Sequence, residues 1–259
     1  MKNFELTNET IVNNCGVALH RIRAVKDIVT SHFAVKAGEL GGFVEKEDNL
    51  GCNAWVSDNA LVCGDANVSD NALVCGDAIV CGDAKVCGDA TVCGNASVHG
   101  DAIVFGNATV YGDAIVFGNA TVYGDASVFG NATVYGNAIV CGDARIFDNA
   151  TVSDNARVFG DANVFGDARI FGDARIFRTN HYLVIGPIGS RDDYTTFFRS
   201  KDGVIKVKCG CFKGTTDEFL DKVEKNHGDS KYAKVYRMAT EMALEQIDIS
   251  DKEPDDEMP

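Results

Sequence analysis

The chain has 259 residues, enough for one to three domains, and a formal net charge of −14 at pH 7. This charge argues against a general nucleic-acid-binding protein, because phosphate groups are neutralised by clustered Lys and Arg. No apolar run reaches the roughly 18 residues of a membrane-spanning helix, and the first residues lack the pattern of an export signal. With ten cysteines and no such signal, we expect a cytoplasmic protein without a membrane partner.

Residues 1–42 lie outside any repeat and contain two β-type runs separated by a turn. The runs are Thr10-Ile11-Val12 and the segment from Val17 to Val25, and Asn13-Asn14-Cys15-Gly16 joins them. Asn and Gly tolerate the backbone angles that a tight hairpin needs. We therefore expect a small β cap that covers the strand edges of the segment that follows.

A strict six-residue repeat occupies the middle of the chain. From Val56 to Ile176 every sixth residue is Val or Ile, twenty-one times; Ala precedes each by two positions, and Asp or Asn precedes each Ala. In an extended strand alternate side chains share a face, so Ala and Val point inward together. The Gly-Asn or Gly-Asp pair supplies a corner. The register extends back through Val44, so we place the repeat segment at 43–177.

Short strands with corners cannot bury a face alone, so the units must stack. Hexapeptide repeats of this kind resemble the left-handed parallel β-helix, in which three units form one triangular coil. Twenty-one units give seven coils. The predicted fold is mainly β: a left-handed parallel β-helix of seven or more coils between an N-terminal β cap and a C-terminal α+β module.

The pattern changes after residue 177. In residues 178–247 we predict strands at Tyr182–Ile185, Tyr194–Arg199 and Val204–Cys209, with turns at Gly186-Pro187 and at residues 201–203. A capping box of Thr215 and Glu218 predicts a helix that ends at Gly228, and a second helix follows from about Ser230 to Ile247. Residues 248–259 contain six acids and one Lys, which is typical of a disordered, solvated tail.

Six cysteines share one position of the repeat, directly after the Val. At that spacing they form no Cys-x-x-Cys pair, so we predict small apolar side chains and no metal site. Nothing in the sequence predicts a cofactor.

The coil is similar to that of bacterial hexapeptide acyltransferases and γ-class carbonic anhydrases. The chain as a whole resembles hexapeptide-repeat proteins of phages and prophages. The segments that carry this resemblance are Glu5-Leu6-Thr7-Asn8-Glu9-Thr10, His20-Arg21-Ile22-Arg23-Ala24, Gly38-Glu39-Leu40-Gly41-Gly42-Phe43-Val44-Glu45, Ile185-Gly186-Pro187-Ile188-Gly189-Ser190-Arg191 and Cys209-Gly210-Cys211-Phe212-Lys213-Gly214-Thr215. The resemblance implies a protein of the bacterial or infected-host cytoplasm, and related coils imply a homotrimer.

An enzyme of the acyltransferase kind would use a coil His as general base, and His99 is the one His of this coil. Its neighbours eighteen residues away are Cys81 and Phe117, so no carboxylate stands in line to orient the imidazole. The coil also lacks the inserted loop that shapes the acceptor pocket in that family. His99 is therefore a weak catalytic candidate, and a surface substitution is the alternative.

Aromatic residues occupy 11 of the 21 positions after the repeat Val or Ile. Residues eighteen apart stack when three units form a coil, which predicts an unbroken column of Tyr111, Phe129, Phe147 and Phe165. Outward rings of this area favour a subunit interface, most simply in a parallel trimer. The alternative is that the rings cover one another and stiffen the coil.

Two further features concern anions. In four repeats an Arg stands two residues before a Phe: Arg145, Arg157, Arg169 and Arg175 precede Phe147, Phe159, Phe171 and Phe177. These pairs either hold an anionic ligand that stacks on the rings, or the Arg residues pair with corner Asp.

In the C-terminal module, a Gly-rich turn opens a helix. This turn could bind an anion, or it is only a helix cap. The candidate ligand-binding residues are Ser190, Arg191, Lys213, Gly214 and Thr215.

These features favour a non-catalytic, oligomeric, phage-type protein that captures a host protein or a small anionic ligand. One version is a sponge for a nucleotide signal of host defence. The alternative function is a CoA-dependent acyltransferase.

Overall fold

Twenty-one strands of two residues form the middle of the protein. The computed structural model describes residues 2–253, and these strands, β6 to β26, recur every six residues from Trp55–Val56 to Arg175–Ile176. Each consists of the repeat Val or Ile and the residue before it. The local pattern of the sequence therefore fixes where every strand of the coil lies.

The strands form three parallel sheets, one on each side of a seven-turn solenoid. Strands of one sheet are three apart in the chain, so β7 pairs with β10 and Val62 lies beside Val80. Every coil residue thus lies above its equivalent eighteen residues earlier. The prediction of a parallel β-solenoid is confirmed, and the left-handed sense of the coil remains a prediction.

The interior is filled by the Ala and Val columns. From Ala72 to Ile176 these side chains are fully buried and form one continuous cluster that runs the length of the coil. Because removal of a Val side chain from water contributes about 1.5–3 kcal/mol, the stacked column is the main stabilising element of the coil.

The corners need a backbone conformation that L-residues rarely adopt. Sixteen of the corners are Gly, with φ of +63° to +74°, and Cys52 occupies the first corner with φ of +49°. The other four corners have φ of +57° to +60° and are Asp58, Asp70, Asp148 and Asp154. Each of these Asp carboxylates accepts a hydrogen bond, of 2.9–3.2 Å, from the amide of the Gly eighteen residues later. The bond between coils compensates for the strained backbone of an Asp corner.

The N-terminal residues extend one of the three sheets. Strands β1 (Phe4–Val12) and β2 (Ala18–Ala24) pair antiparallel, β2 pairs antiparallel with β5 (Leu40–Val44), and β5 pairs parallel with β7. A small hairpin of β3 (Ile28–Val29) and β4 (Ala34–Val35) lies between them. Ile22, Ile28 and Val35 are buried in the coil core, which confirms the small N-terminal β unit.

The C-terminal module is a four-stranded antiparallel sheet with two helices. Its strands are β27 (Tyr182–Ile188), β28 (Asp193–Arg199), β29 (Ile205–Cys209) and β30 (Phe212–Thr215). Strand β30 was not expected, because residues 210–215 read as a Gly-rich loop. Gly186-Pro187 lies within β27, and the chain reverses instead at Gly189–Arg191.

Helices α1 (Thr216–His227) and α2 (Lys231–Gln246) begin and end close to the predicted positions. Thr215 and Glu218 form the expected capping box, and Gly228 ends α1. Phe197 and Val207 face the helices, whereas Tyr182 and Phe198 join the core of the coil, where Phe198 meets Phe171 edge to face at 4.8 Å. The sheet therefore separates the helices from the last coil.

Part of the segment expected to be a disordered tail lies against the module. Asp251 is 3.2 Å from Nε2 of the fully buried His181, and Arg199 donates to the Asp251 carbonyl at 3.0 Å. Residues 254–259 of that expected tail lie outside the described residues.

A first prediction concerns the corners. A Cβ on Gly106 would lie 3.0 Å from the backbone nitrogen of Gly124, whereas a Cβ on Gly166, at similar φ, would meet none of the described residues within 4 Å. Gly166→Ala should cost only the backbone strain of about 1–3 kcal/mol, and Gly106→Ala should cost about 1–3 kcal/mol more from the clash. Denaturant unfolding of the two variants measures the difference. Equal losses would contradict a role for contacts between corners.

A second prediction concerns His181. Burial is the main influence and lowers the pKa of His181 below its ordinary value of 6.5, although Asp251 opposes the shift. The unfolded chain then takes up the proton more readily than the folded one. Stability should be complete above the ordinary value and fall as the pH drops through the lowered pKa, by up to about 1.4 kcal/mol per pH unit.

His181→Gln should flatten this pH dependence. Denaturant unfolding at a series of pH values measures the slope for both proteins, and above about pH 7.5 the two curves should run parallel. A slope that is unchanged in the variant would show that another group titrates.

Candidate functional site

His99 lies in the predicted column on the outside of the coil. Its half-buried ring stacks on Phe117 at 5.1 Å with an angle of 13° between the planes, and Phe117 stacks in turn on Tyr135. The ring thus serves as one member of a stack. This placement favours the surface substitution over the general base.

The main aromatic column forms as predicted. Tyr111, Phe129, Phe147 and Phe165 stack at centroid distances of 4.8–5.2 Å, with planes within 14° of parallel. The two inner rings are half-buried, while Tyr111 and Phe165 are 37% and 43% exposed. The rings therefore do cover one another, and an apolar edge remains in solvent along the whole column.

The anion-site candidates separate into two groups. Ser190, Arg191 and Lys213 come together around a cavity of about 490 Å³ between the β29–β30 turn, α1 and α2. Gly214 and Thr215 do not line it. The Thr215 amide donates at 2.9 Å to the carboxylate of Glu218 in the capping box, so the start of α1 already holds an anion of its own chain.

The lining of this cavity is basic and partly aromatic. Its charged side chains are Arg191, Lys213 and Lys222, and no carboxylate of residues 2–253 lines it. The described lining residues are Ser190, Arg191, Cys209, Cys211, Phe212, Lys213, Phe219, Lys222, Val223, Asn226, His227 and Tyr236. Because the whole chain has a charge of −14, this basic lining is an exception on an otherwise acidic protein.

The basic groups at the cavity are held by different contacts. Arg191 crosses the β29–β30 turn, with Nη1 3.9 Å from the sulfur of Cys211. Lys213 points toward the coil, where Nζ lies 4.6 Å from the ring centre of Phe171 and 3.7 Å from Asp154. Arg191 is therefore better placed than Lys213 to meet a ligand.

Two pKa shifts describe the surroundings of the cavity. Burial first, and then the charges of Lys213 and Arg169, lower the pKa of Lys208, whose amine donates to the Gly210 carbonyl. Burial raises the pKa of Tyr236 above 10.0, with a smaller contribution from Cys209. The region thus combines positive potential with a neutral phenol.

Several lining residues were missed by the sequence reasoning. Lys222 and His227 lie on α1, and Tyr236 lies on α2. Cys209 and Cys211 flank the turn. Since these residues come from separate elements, no local spacing could have assembled them.

Two Arg residues of the last coils, Arg169 and Arg175, form ion pairs with residues other than the corner Asp. Arg169 lies 3.9 Å from Asp193, Arg175 lies 3.9 Å from Glu253, and Arg157 lies over the Phe159 ring at 5.7 Å. Corner Asp173 pairs with Lys206 instead, at 2.5 Å. Residues after the coil thus supply charge partners for Arg169, Arg175 and Asp173.

Four of the six repeat cysteines pair between coils. Cys63 lies against Cys81 and Cys75 against Cys93, and a hydrogen bond from the partner thiol lowers the pKa of Cys81 and of Cys93 to about 7. Residues 2–253 contain no group of three or more His, Cys, Asp or Glu placed to hold a metal ion. Within the same residues no helix is long and apolar enough to span a membrane.

Comparison with known proteins bears on the coil. Residues 84–100, 102–118, 126–142 and 144–160 match the YdcK β-solenoid repeat. No curated protein matches the chain. A repeat match identifies a fold and not an activity. The chain is thus a β-helix repeat protein, with a coil similar to the YdcK β-solenoid repeat.

Proposed function

We propose that this protein binds a small anionic ligand, without catalysis, in the cavity between the β29–β30 turn, α1 and α2. One observation carries the proposal: among the described residues, the cavity is lined by Arg191, by Lys222 and by Lys213, whose amine is turned toward Asp154, and by no carboxylate, in a strongly acidic chain. Acidic surroundings discourage general attraction of anions, so a positive cavity favours a specific ligand.

The lining also indicates the kind of anion. The Arg191 guanidinium is a planar fork that matches phosphate or carboxylate oxygens, and Lys222 adds a point charge. Phe212 and the ring of Tyr236 provide apolar area for the remainder of a ligand. A phosphorylated compound with an aromatic part, such as a nucleotide, fits this combination and is consistent with a phage protein that sequesters a nucleotide signal.

Arg191→Ala combined with Lys222→Ala tests the cavity. Loss of two charged hydrogen-bond donors should weaken binding by about tenfold or more. Calorimetric titration with a panel of nucleotides and inorganic phosphate measures the affinity. Lys225→Ala is the matched control, because Lys225 is on the same helix and does not line the cavity. Binding that survives the double substitution would place the site elsewhere.

A second part of the proposal is a homotrimer that could also present a surface to a host protein. It is supported by the column of Tyr111, Phe129, Phe147 and Phe165, whose two ends are more than a third exposed. Contiguous exposed apolar surface is typical of interfaces.

Tyr111→Glu together with Phe129→Glu should dissociate such a trimer, because buried unpaired charges cost several kcal/mol. Light scattering at micromolar protein gives the mass, and Tyr111→Phe, which keeps the ring, should stay assembled. A parent protein that is monomeric under these conditions would overturn the trimer.

The alternative function, a CoA-dependent acyltransferase, rests on the likeness of the coil. It would require His99 as the general base, a role that contributes about 10²–10⁴ in rate. The flat stack of His99 on Phe117 holds the imidazole for packing, so we prefer the binding protein.

A further inference from the structure

Four arginines gather where the coil ends. Arg157 and Arg175 stand in register on neighbouring strands of one sheet, β23 and β26. Arg178 follows directly after that last strand, and Arg199 ends β28, which lies against it. The topology thus brings together charges that repel one another, and such a cluster needs an anion.

The segment 248–253 supplies anions of the chain itself. The Asp251 carboxylate lies 3.2 Å from both Arg178 and His181, and Glu253 lies 3.5 Å from Arg199 and 3.9 Å from Arg175. Among residues 2–253, these ion pairs therefore set two carboxylates against three guanidinium groups. At neutral pH the lowered pKa of His181 leaves that ring uncharged, so it adds no positive charge to the cluster.

The contacts of Arg199 are incomplete. Its side chain is 7% exposed and its guanidinium lies over the Phe177 ring at 4.9 Å. Among the described residues, the buried Nε of Arg199 has no hydrogen-bond partner. A buried donor on a charged group without an acceptor is costly, so the acidic segment fills the cluster only in part.

We infer that this arginine cluster is a second anion site, for a small multiply charged phosphate compound, and that the acidic segment occupies it in competition with that ligand. Phosphate presents more oxygens than a carboxylate, and arginine forks bind it in pairs of hydrogen bonds. A phosphate ligand could satisfy the free Nε of Arg199, which the two carboxylates leave unused.

Competition makes the apparent affinity depend on the segment. A ligand that binds only after the segment has left the site has a reduced apparent affinity. The factor of this reduction is the fraction of the protein in which the site is open. Neutral replacements of Asp251 and Glu253 should therefore raise the affinity. None of the clustered residues lines the cavity near Arg191, so this inference stands apart from the proposed function.

The probe is inorganic pyrophosphate, titrated calorimetrically at low ionic strength. The variant with Asp251→Asn and Glu253→Gln should bind pyrophosphate about tenfold more tightly than the parent. A change of about tenfold is a usual size for the effect of one bound group on the affinity for another. Addition of Arg175→Gln and Arg178→Ala should abolish that gain, whereas Arg191→Ala with Lys222→Ala should leave it intact. The inference is overturned if the neutralised variant binds no more tightly than the parent, or if the gain survives loss of the two arginines.

A second measurement uses the unaltered protein. Lys252 lies within the acidic segment, so trypsin should cut after it faster once pyrophosphate displaces the segment. Sodium chloride at the same ionic strength is the control for simple screening. A cleavage rate that pyrophosphate does not change, or that chloride raises equally, would also overturn the competition, whether or not the variants fold.

Discussion

A backbone corner at positive φ, once in every six residues, is the constraint on which the whole coil depends. Three such corners return the chain to a point above its start, so that residues eighteen apart face each other. All other columns follow from this register. Val lies on Val, rings lie on rings, and polar corners form ladders in which Asn95 donates to Asp113 at 2.8 Å and Asn107 donates to Asp125 at the same distance.

The coil could be predicted almost completely because its signals are local. The six-residue repeat predicts the position of every strand, and the eighteen-residue length of one turn predicts the contact of Tyr111 with Phe129. The helices of the C-terminal module were also predictable, since the Thr215–Glu218 capping box and Gly228 mark the ends of α1 within a few residues. Strand β30 was missed because its Gly-rich sequence favours a loop, and only pairing with β29 makes it a strand.

The candidate sites were harder to predict because they depend on distant parts of the chain. Arg191 and Lys213 could be singled out as basic residues near turns, but Lys222 and Tyr236 join them only through the packing of α1 and α2 on the sheet. The contacts of Asp251 with His181 and Arg178 span about seventy residues of sequence. Composition alone marks that segment as a solvated tail, and composition cannot detect a buried partner so far away.

The fixed register also makes the coil a spacer with a defined step. Insertion of eighteen residues adds one turn, which would move the C-terminal sheet about 4.8 Å farther from the N-terminal sheet without rotating it. Insertion of a single hexapeptide would instead carry the C-terminal sheet around to the next of the three sides. Repeat number thus sets both the distance and the relative orientation of the two ends, so that proteins with this coil can change either through whole-unit duplications alone.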